Sequence, residues 1–82
     1  MTRHWYRLCP VCGQGRLFVC RRCDTGVLFL LCEECFCRFD SPDDAVDGAN
    51  CREGFGVASD RADAAAIAAG GWSGYGFNTE PD

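Results

Sequence analysis

Two apolar runs organise the amino-terminal part of the chain. Arg16-Leu17-Phe18-Val19-Cys20 and Val27-Leu28-Phe29-Leu30-Leu31 flank a polar stretch, Arg21-Arg22-Cys23-Asp24-Thr25-Gly26. Aromatic and aliphatic runs of strand length on either side of a Gly-ended turn predict a β-hairpin with a longer loop. The second run is apolar at successive positions, so both of its faces need cover. Trp5, Tyr6, Phe36 and Phe39 are the nearest side chains to supply it.

After Phe39 the pattern turns polar. Asp40-Ser41-Pro42-Asp43-Asp44-Ala45-Val46-Asp47-Gly48 predicts an acidic, turn-rich connector with room for one helical turn after Pro42. Ser59 then stands ahead of Asp60, Asp63 and the run 64–69, which Gly70-Gly71 closes. A capping Ser, acids in the first turn, Ala propensity and a Gly stop predict a helix over 60–69. So short a helix has to dock on something, and Trp72, Tyr75 and Phe77 are placed to anchor it. The expected organisation is a hairpin over 1–39, an acidic loop over 40–58 and a short helix with an aromatic tail over 59–82, packed as one domain.

Length makes the eight cysteines decisive. A chain of 82 residues buries only about 60–65% of its unfolded surface. Ten Gly and three Pro limit its regular elements further. Cysteine at this density supplies the missing stability through disulfides or through a metal. The amino terminus carries no apolar run of signal-peptide length, and no stretch reaches the roughly 18 apolar residues of a membrane span. The chain therefore reads as cytoplasmic, where thiolate ligands are the better expectation and a four-bridge disulfide scaffold is the alternative.

Spacing separates the cysteines into roles. Cys9 and Cys12 precede the first strand and Cys32 and Cys35 follow the second, so closing the hairpin brings both C-x-x-C pairs to its open end. The 19 residues between the pairs suit a C-x-x-C…C-x-x-C site, and four sulfurs in a tetrahedron form a closed structural Zn²⁺ site. A rival grouping of Cys9, Cys12, Cys20 and Cys23 leaves a loop shorter than usual. Cys20 and Cys23 sit at the hairpin tip, roughly 15 Å from the base at strand rise. They remain candidates for a second metal with Cys37 and Cys51, or for a redox pair whose thiolates Arg21 and Arg22 would favour. Cys37 and Cys51 are otherwise expected to be free thiols behaving as small hydrophobes.

A resemblance adds to this reading. Cys9-Pro10-Val11-Cys12-Gly13-Gln14-Gly15, then Thr25-Gly26, Cys32-Glu33-Glu34-Cys35, Phe39 and Pro42-Asp43-Asp44 resemble a zinc ribbon. More narrowly they resemble the short bacterial zinc-ribbon proteins built on C-P-x-C-G-x-G, T-G and C-E-E-C. The likeness covers residues 9–44, and Gly71-Trp72 with Tyr75 extends it. It implies a small metal-stabilised α+β fold with Cys9, Cys12, Cys32 and Cys35 as the zinc ligands. The extra pair Cys20 and Cys23 departs from it. Such proteins are mostly of unassigned function, so the resemblance implies a fold more than a role.

Charge and composition narrow the function classes. Net charge is −4, but residues 1–39 carry six Arg against three acids and residues 40–82 two Arg against nine. The sole His, His4, lies outside any zinc-enzyme motif, and a four-thiolate zinc has no open position for substrate, so no enzyme is expected. The leading expectation is a protein-interaction module, an inhibitor or accessory subunit, whose acidic half suits a basic partner. Asp40, Asp43, Asp44, Asp47, Asp60 and Asp63 would form that negative surface. Nucleic-acid binding is the alternative, supported by Arg3, Arg7 and Arg16 among Trp5, Tyr6 and Phe18 and opposed by the net charge.

Overall fold

The computed structural model describes residues 2–54 and 56–81, so residues 1, 55 and 82 of the expected segments lie outside the described residues. The two apolar runs form the predicted hairpin as β2 (Arg16–Arg22) and β3 (Leu28–Cys32), paired antiparallel from Leu17 opposite Cys32 to Arg21 opposite Leu28. The turn closes through Gly26 N–H to the Arg22 carbonyl at 2.9 Å, with Gly26 at φ 75°, a conformation that glycine adopts without a Cβ clash.

The hairpin is the middle of a larger antiparallel sheet. Adding β1 (Thr2–Leu8), β4 (Cys37–Phe39), β5 (Arg52–Glu53), β6 (Ser59–Arg61) and β7 (Asn78–Pro81) gives the order β5-β4-β3-β2-β1-β7, with β6 also paired to β2. β1 and β6 share one edge of β2: β1 takes Phe18 and Arg16, and β6 takes Cys20 to Arg22. All three expected segments thus contribute strands to one sheet.

Several expectations change here. The segment 2–8 is a strand rather than loose cover, because β2 offers it an open edge and β7 pairs its other side from Thr2 to Trp5. The acidic connector is not simply a loop. It holds two 3₁₀ turns, Asp44–Val46 and Gly48–Asn50, and then β5. Ser59 is not the helix cap, since 59–61 is consumed by pairing with β2. The helix α1 is Ala64–Ala69, and Asp63 caps it by accepting from Ala66 N–H at 2.8 Å. Phe36, expected as cover, is exposed, whereas Phe39 is fully buried.

Alternation along the strands places Leu17, Val19, Leu30, Cys32 and Phe39 on one face of the sheet. That face carries the core, completed by Ala45, Ala62 and Ile67. Trp72 and Phe77 pack against it, and the tail is docked rather than free: Phe77 and Tyr75 meet Tyr6 of β1 edge-on at 5.7 and 6.3 Å, and Trp72 stacks on Phe77 at 6.2 Å. The helix is therefore held by its neighbours, as its length requires.

Cys37 and Cys51, expected to be free, are joined by a disulfide with a Cα–Cα distance of 5.4 Å. The connector folds back along β4 through β5, where Cys37 lies opposite Glu53, and so delivers Cys51 to Cys37. The chain thus combines a bridge with free thiols, where compartment reasoning set the two as alternatives.

Two outcomes are expected from this packing. Replacing both Cys37 and Cys51 by Ser should lower the unfolding free energy of the oxidised protein by about 3 kcal/mol, the loop-closure value for a bridge of this span. Denaturation with and without reductant measures it, and equal midpoints in both conditions would count against the bridge. Trp72→Ala should cost about 2–3 kcal/mol through lost packing against Tyr75 and Phe77, read by urea unfolding.

Candidate metal centre

Two C-x-x-C turns build the site at the open end of the hairpin. In the first, leaving β1, Cys9 N–H donates to the Gly15 carbonyl at 2.7 Å and Gly13 N–H to the Cys9 carbonyl at 2.9 Å. Gly13 takes φ 70°, which reverses the chain directly after Cys12. Gly15 is required for space: a Cβ there would run into Cys32 Sγ and lie 3.0 Å from Glu34 Cβ. The second turn follows β3 and repeats the first in outline. Phe36, directly after Cys35, adopts φ 60°, the left-handed conformation that Gly13 takes after Cys12, at the steric cost of a side chain.

These turns bring four sulfurs together. The Sγ atoms of Cys9, Cys12, Cys32 and Cys35 all lie within 4.8 Å of one another, with Cys9 to Cys35 and Cys12 to Cys32 both at 3.6 Å. A tetrahedron of sulfurs at 2.3 Å from a central ion has an edge of about 3.8 Å, close to the two 3.6 Å separations, so the cluster could hold a metal ion. Backbone donors are aimed at the sulfurs: Val11 N–H at Cys9 at 3.4 Å, Gly15 N–H at Cys12 at 3.5 Å, and Glu34 and Cys35 N–H at Cys32, both at 3.4 Å. Donors of this kind favour sulfur carrying negative charge.

The thiols differ in acidity. Backbone N–H groups of Gln14 and Gly15 hold Cys12 down at about 6, so it is a thiolate at neutral pH. Burial pushes Cys32 up to about 12 and raises Cys35 as well, so both keep their protons. Four like charges cannot share so small a volume without a cation among them, whereas a dication makes four thiolates compatible.

The remaining candidates stand apart from this cluster. Cys20 is buried in β2 and its thiol is raised to about 11 by burial. Cys23 is exposed, raised by partial desolvation and by Asp60, whose carboxylate accepts its S–H at 3.6 Å. Neither has the acidic thiol of a reactive pair. Arg22 is engaged by Asp24 through two hydrogen bonds at 3.1 Å. The alternative second site from Cys20, Cys23, Cys37 and Cys51 is not assembled, because the last two are consumed in the disulfide. His4 lies in β1 opposite Thr79. The cysteine spacing alone does not show the role of the turns' backbone donors and of Gly15. Their signal was the C-G-x-G that follows the first pair.

No protein-family model matches the chain, and neither a curated protein nor a solved structure matches it. Among the described residues no helix is long and apolar enough to cross a membrane.

Uptake of an ion by the cluster is expected to release at least two protons per chain at neutral pH, from Cys32 and Cys35. A bound sulfur has its pKa depressed, so the bound state gains as pH rises and is lost as pH falls. Affinity should change by about a hundredfold per pH unit near neutrality, two protons' worth, measured by metal titration in weak buffer. A pH-independent affinity would contradict the ionisation pattern. Gly15→Ala should displace Cys32 and cost about 1–3 kcal/mol of stability, with weaker metal retention as the second readout.

Proposed function

We propose that the cluster holds one structural Zn²⁺ and that the chain works as a non-catalytic protein-interaction module of zinc-ribbon type. The observation that carries the metal reading is the spacing of the four sulfurs, with 3.6 Å edges close to those of a ZnS₄ tetrahedron. Four thiolates fill the coordination shell and leave no position for water or substrate, which favours a structural over a catalytic ion. Two C-x-x-C turns at the base of one hairpin support the ribbon assignment.

Support for the interaction role comes from the surface. Leu8, Val11, Val27, Phe36 and Val46 expose 44–63% of their area, a large apolar allotment for so small a chain. Leu8, Val11 and Phe36 flank the metal cysteines along the sequence. Of the six carboxylates expected to face a basic partner, five have local donors: Asp47 and Asp63 cap helical turns, Asp43 accepts from Tyr75 at 3.1 Å, Asp60 accepts from Cys23 at 3.6 Å, and Asp40 pairs with Arg38 and Arg52.

The test combines stoichiometry with capture. Elemental analysis of the purified chain should give one zinc, unchanged in Cys20→Ser/Cys23→Ser and lost in Cys9→Ser/Cys32→Ser. Full retention in the latter would sink the metal reading. Nuclease-treated host lysate passed over the zinc-loaded chain should leave a polypeptide bound through a high-salt wash, as an apolar interface allows. Binding abolished by nuclease would move the role to nucleic acid.

A further inference from the structure

The Cys37–Cys51 bridge lies against the cysteine cluster rather than apart from it. Cys37 follows Cys35 by two residues, and Phe36 between them takes φ 60°. The matching position after Cys12 is Gly13, at φ 70°, where the left-handed conformation meets no Cβ clash. At Phe36 the clash is present, so the second turn needs an outside hold that the first does not.

That hold comes from the segment 48–54, which returns past both metal turns and is fastened to β4 by the bridge. At its far end Gly54 N–H donates to the Phe36 carbonyl at 3.0 Å, and a Cβ on Gly54 would lie only 2.8 Å from that oxygen. At its near end Gly48 rests on the first turn, where a Cβ would lie 3.1 Å from Val11 Cγ2. One segment therefore touches both C-x-x-C turns, inside the first and directly after the second. Its other fastenings are weak: the β5 ladder is two residues long, and Arg52 pairs with Asp40 at 3.1 Å at an exposed surface.

We propose that the Cys37–Cys51 bridge is a redox-sensitive clamp on the metal site: formed, it keeps Phe36 in the left-handed conformation that the Cys35 turn uses, and opened, it lets that turn relax and weakens metal binding. The inference rests on the reading of the cluster as a zinc site. Cys51 is half-buried, so a small thiol can reach its sulfur from solvent. A dithiol, or two molecules of a monothiol, supplies two electrons and two protons. The Cys37–Cys51 bond breaks, both sulfurs end as thiols, and the sulfurs of the reductant join in a disulfide. The coupling is one conformational cost shared by two events. With the bridge formed, Phe36 is already in place, whereas in the opened chain metal binding has to bring it there unaided. Linkage makes the effect reciprocal, so metal binding favours the bridge by the same factor. The usual cost of a left-handed residue sets that factor at about tenfold.

The test measures the Zn²⁺ affinity of the full chain by competition with a chromogenic chelator, with the bridge formed and after its reduction. Reduction should weaken binding about tenfold, and Cys37→Ser/Cys51→Ser should match the reduced chain. Phe36→Gly removes the clash, so its bridged and reduced forms should agree within about threefold, and its reduced form should bind more tightly than the reduced parent. The reciprocal arm fixes a ratio of glutathione to glutathione disulfide and counts bridged Cys37 and Cys51 by mass spectrometry of alkylated peptides. Zinc should favour the bridge about tenfold, which is about 30 mV for a two-electron couple. Amide exchange on the zinc-loaded chain should speed up at Gly54 on reduction while β2 and β3 stay protected. Loss of protection throughout the sheet would overturn the clamp, because the effect would then be global unfolding. Equal affinities in the bridged and reduced chain would overturn it and leave the zinc reading standing. A loss of the same size persisting in Phe36→Gly would overturn it as well, by assigning the effect to loop closure. A chain that takes up no zinc in either form would remove both the clamp and the zinc reading.

Discussion

Four cysteine sulfurs within 4.8 Å of one another tie the turn after β1 to the turn after β3, and the rest of the sheet is arranged around that knot. A chain of this size has too little interior to fix its own ends by burial alone. Once the two turns meet, β1 must lie beside β2 and β4 beside β3, which is the observed order. The sulfurs are near each other yet unequal in acidity, with Cys12 low through backbone donors and Cys32 high through burial. That inequality follows from where each sulfur sits, Cys12 against the backbone donors of its turn and Cys32 against the core.

The carboxy-terminal half serves the sheet's edges. Its residues run along β4 as β5, along the upper part of β2 as β6, and along β1 as β7. Open edges invite pairing with other chains, and these strands occupy the inner ones while keeping the new outer edges only two to four residues long. The Cys37–Cys51 bridge holds the first of these returns, and the Tyr6, Tyr75 and Phe77 rings hold the last. A six-residue helix persists between them because both of its flanks are pinned.

The hairpin and the clustering of Cys9, Cys12, Cys32 and Cys35 were legible because their signals are local: two apolar runs, a Gly-ended turn, and C-x-x-C at both bases. Strands β1, β6 and β7 were not. Each is polar or mixed, as in Thr2–Leu8 and Asn78–Pro81, and is a strand because an edge is available rather than because of its own propensity. Ser59 illustrates the competition, since a plausible cap was outbid by pairing with Arg22 while Asp63 took the capping role. The disulfide was hidden for a related reason: nothing in the spacing of Cys37 and Cys51 says that the connector folds back.

Charge shows the same dependence on register. Counted along the chain, the positive half is residues 1–39 and the negative half residues 40–82. Counted across the sheet, Arg52 and Arg61 from the acidic half join Arg3, Arg16, Arg22 and Arg38, because a period of two in each strand sends alternate residues to one side. The acids are meanwhile spent near where they lie, on caps, on Tyr75 and on pairs of guanidiniums. A net charge of −4 therefore describes the long-range field of the molecule but not how its charges divide between the faces of the sheet. On a sheet this small, which residues share a face decides the chemistry offered, and that is settled by the pairing of strands far apart in sequence.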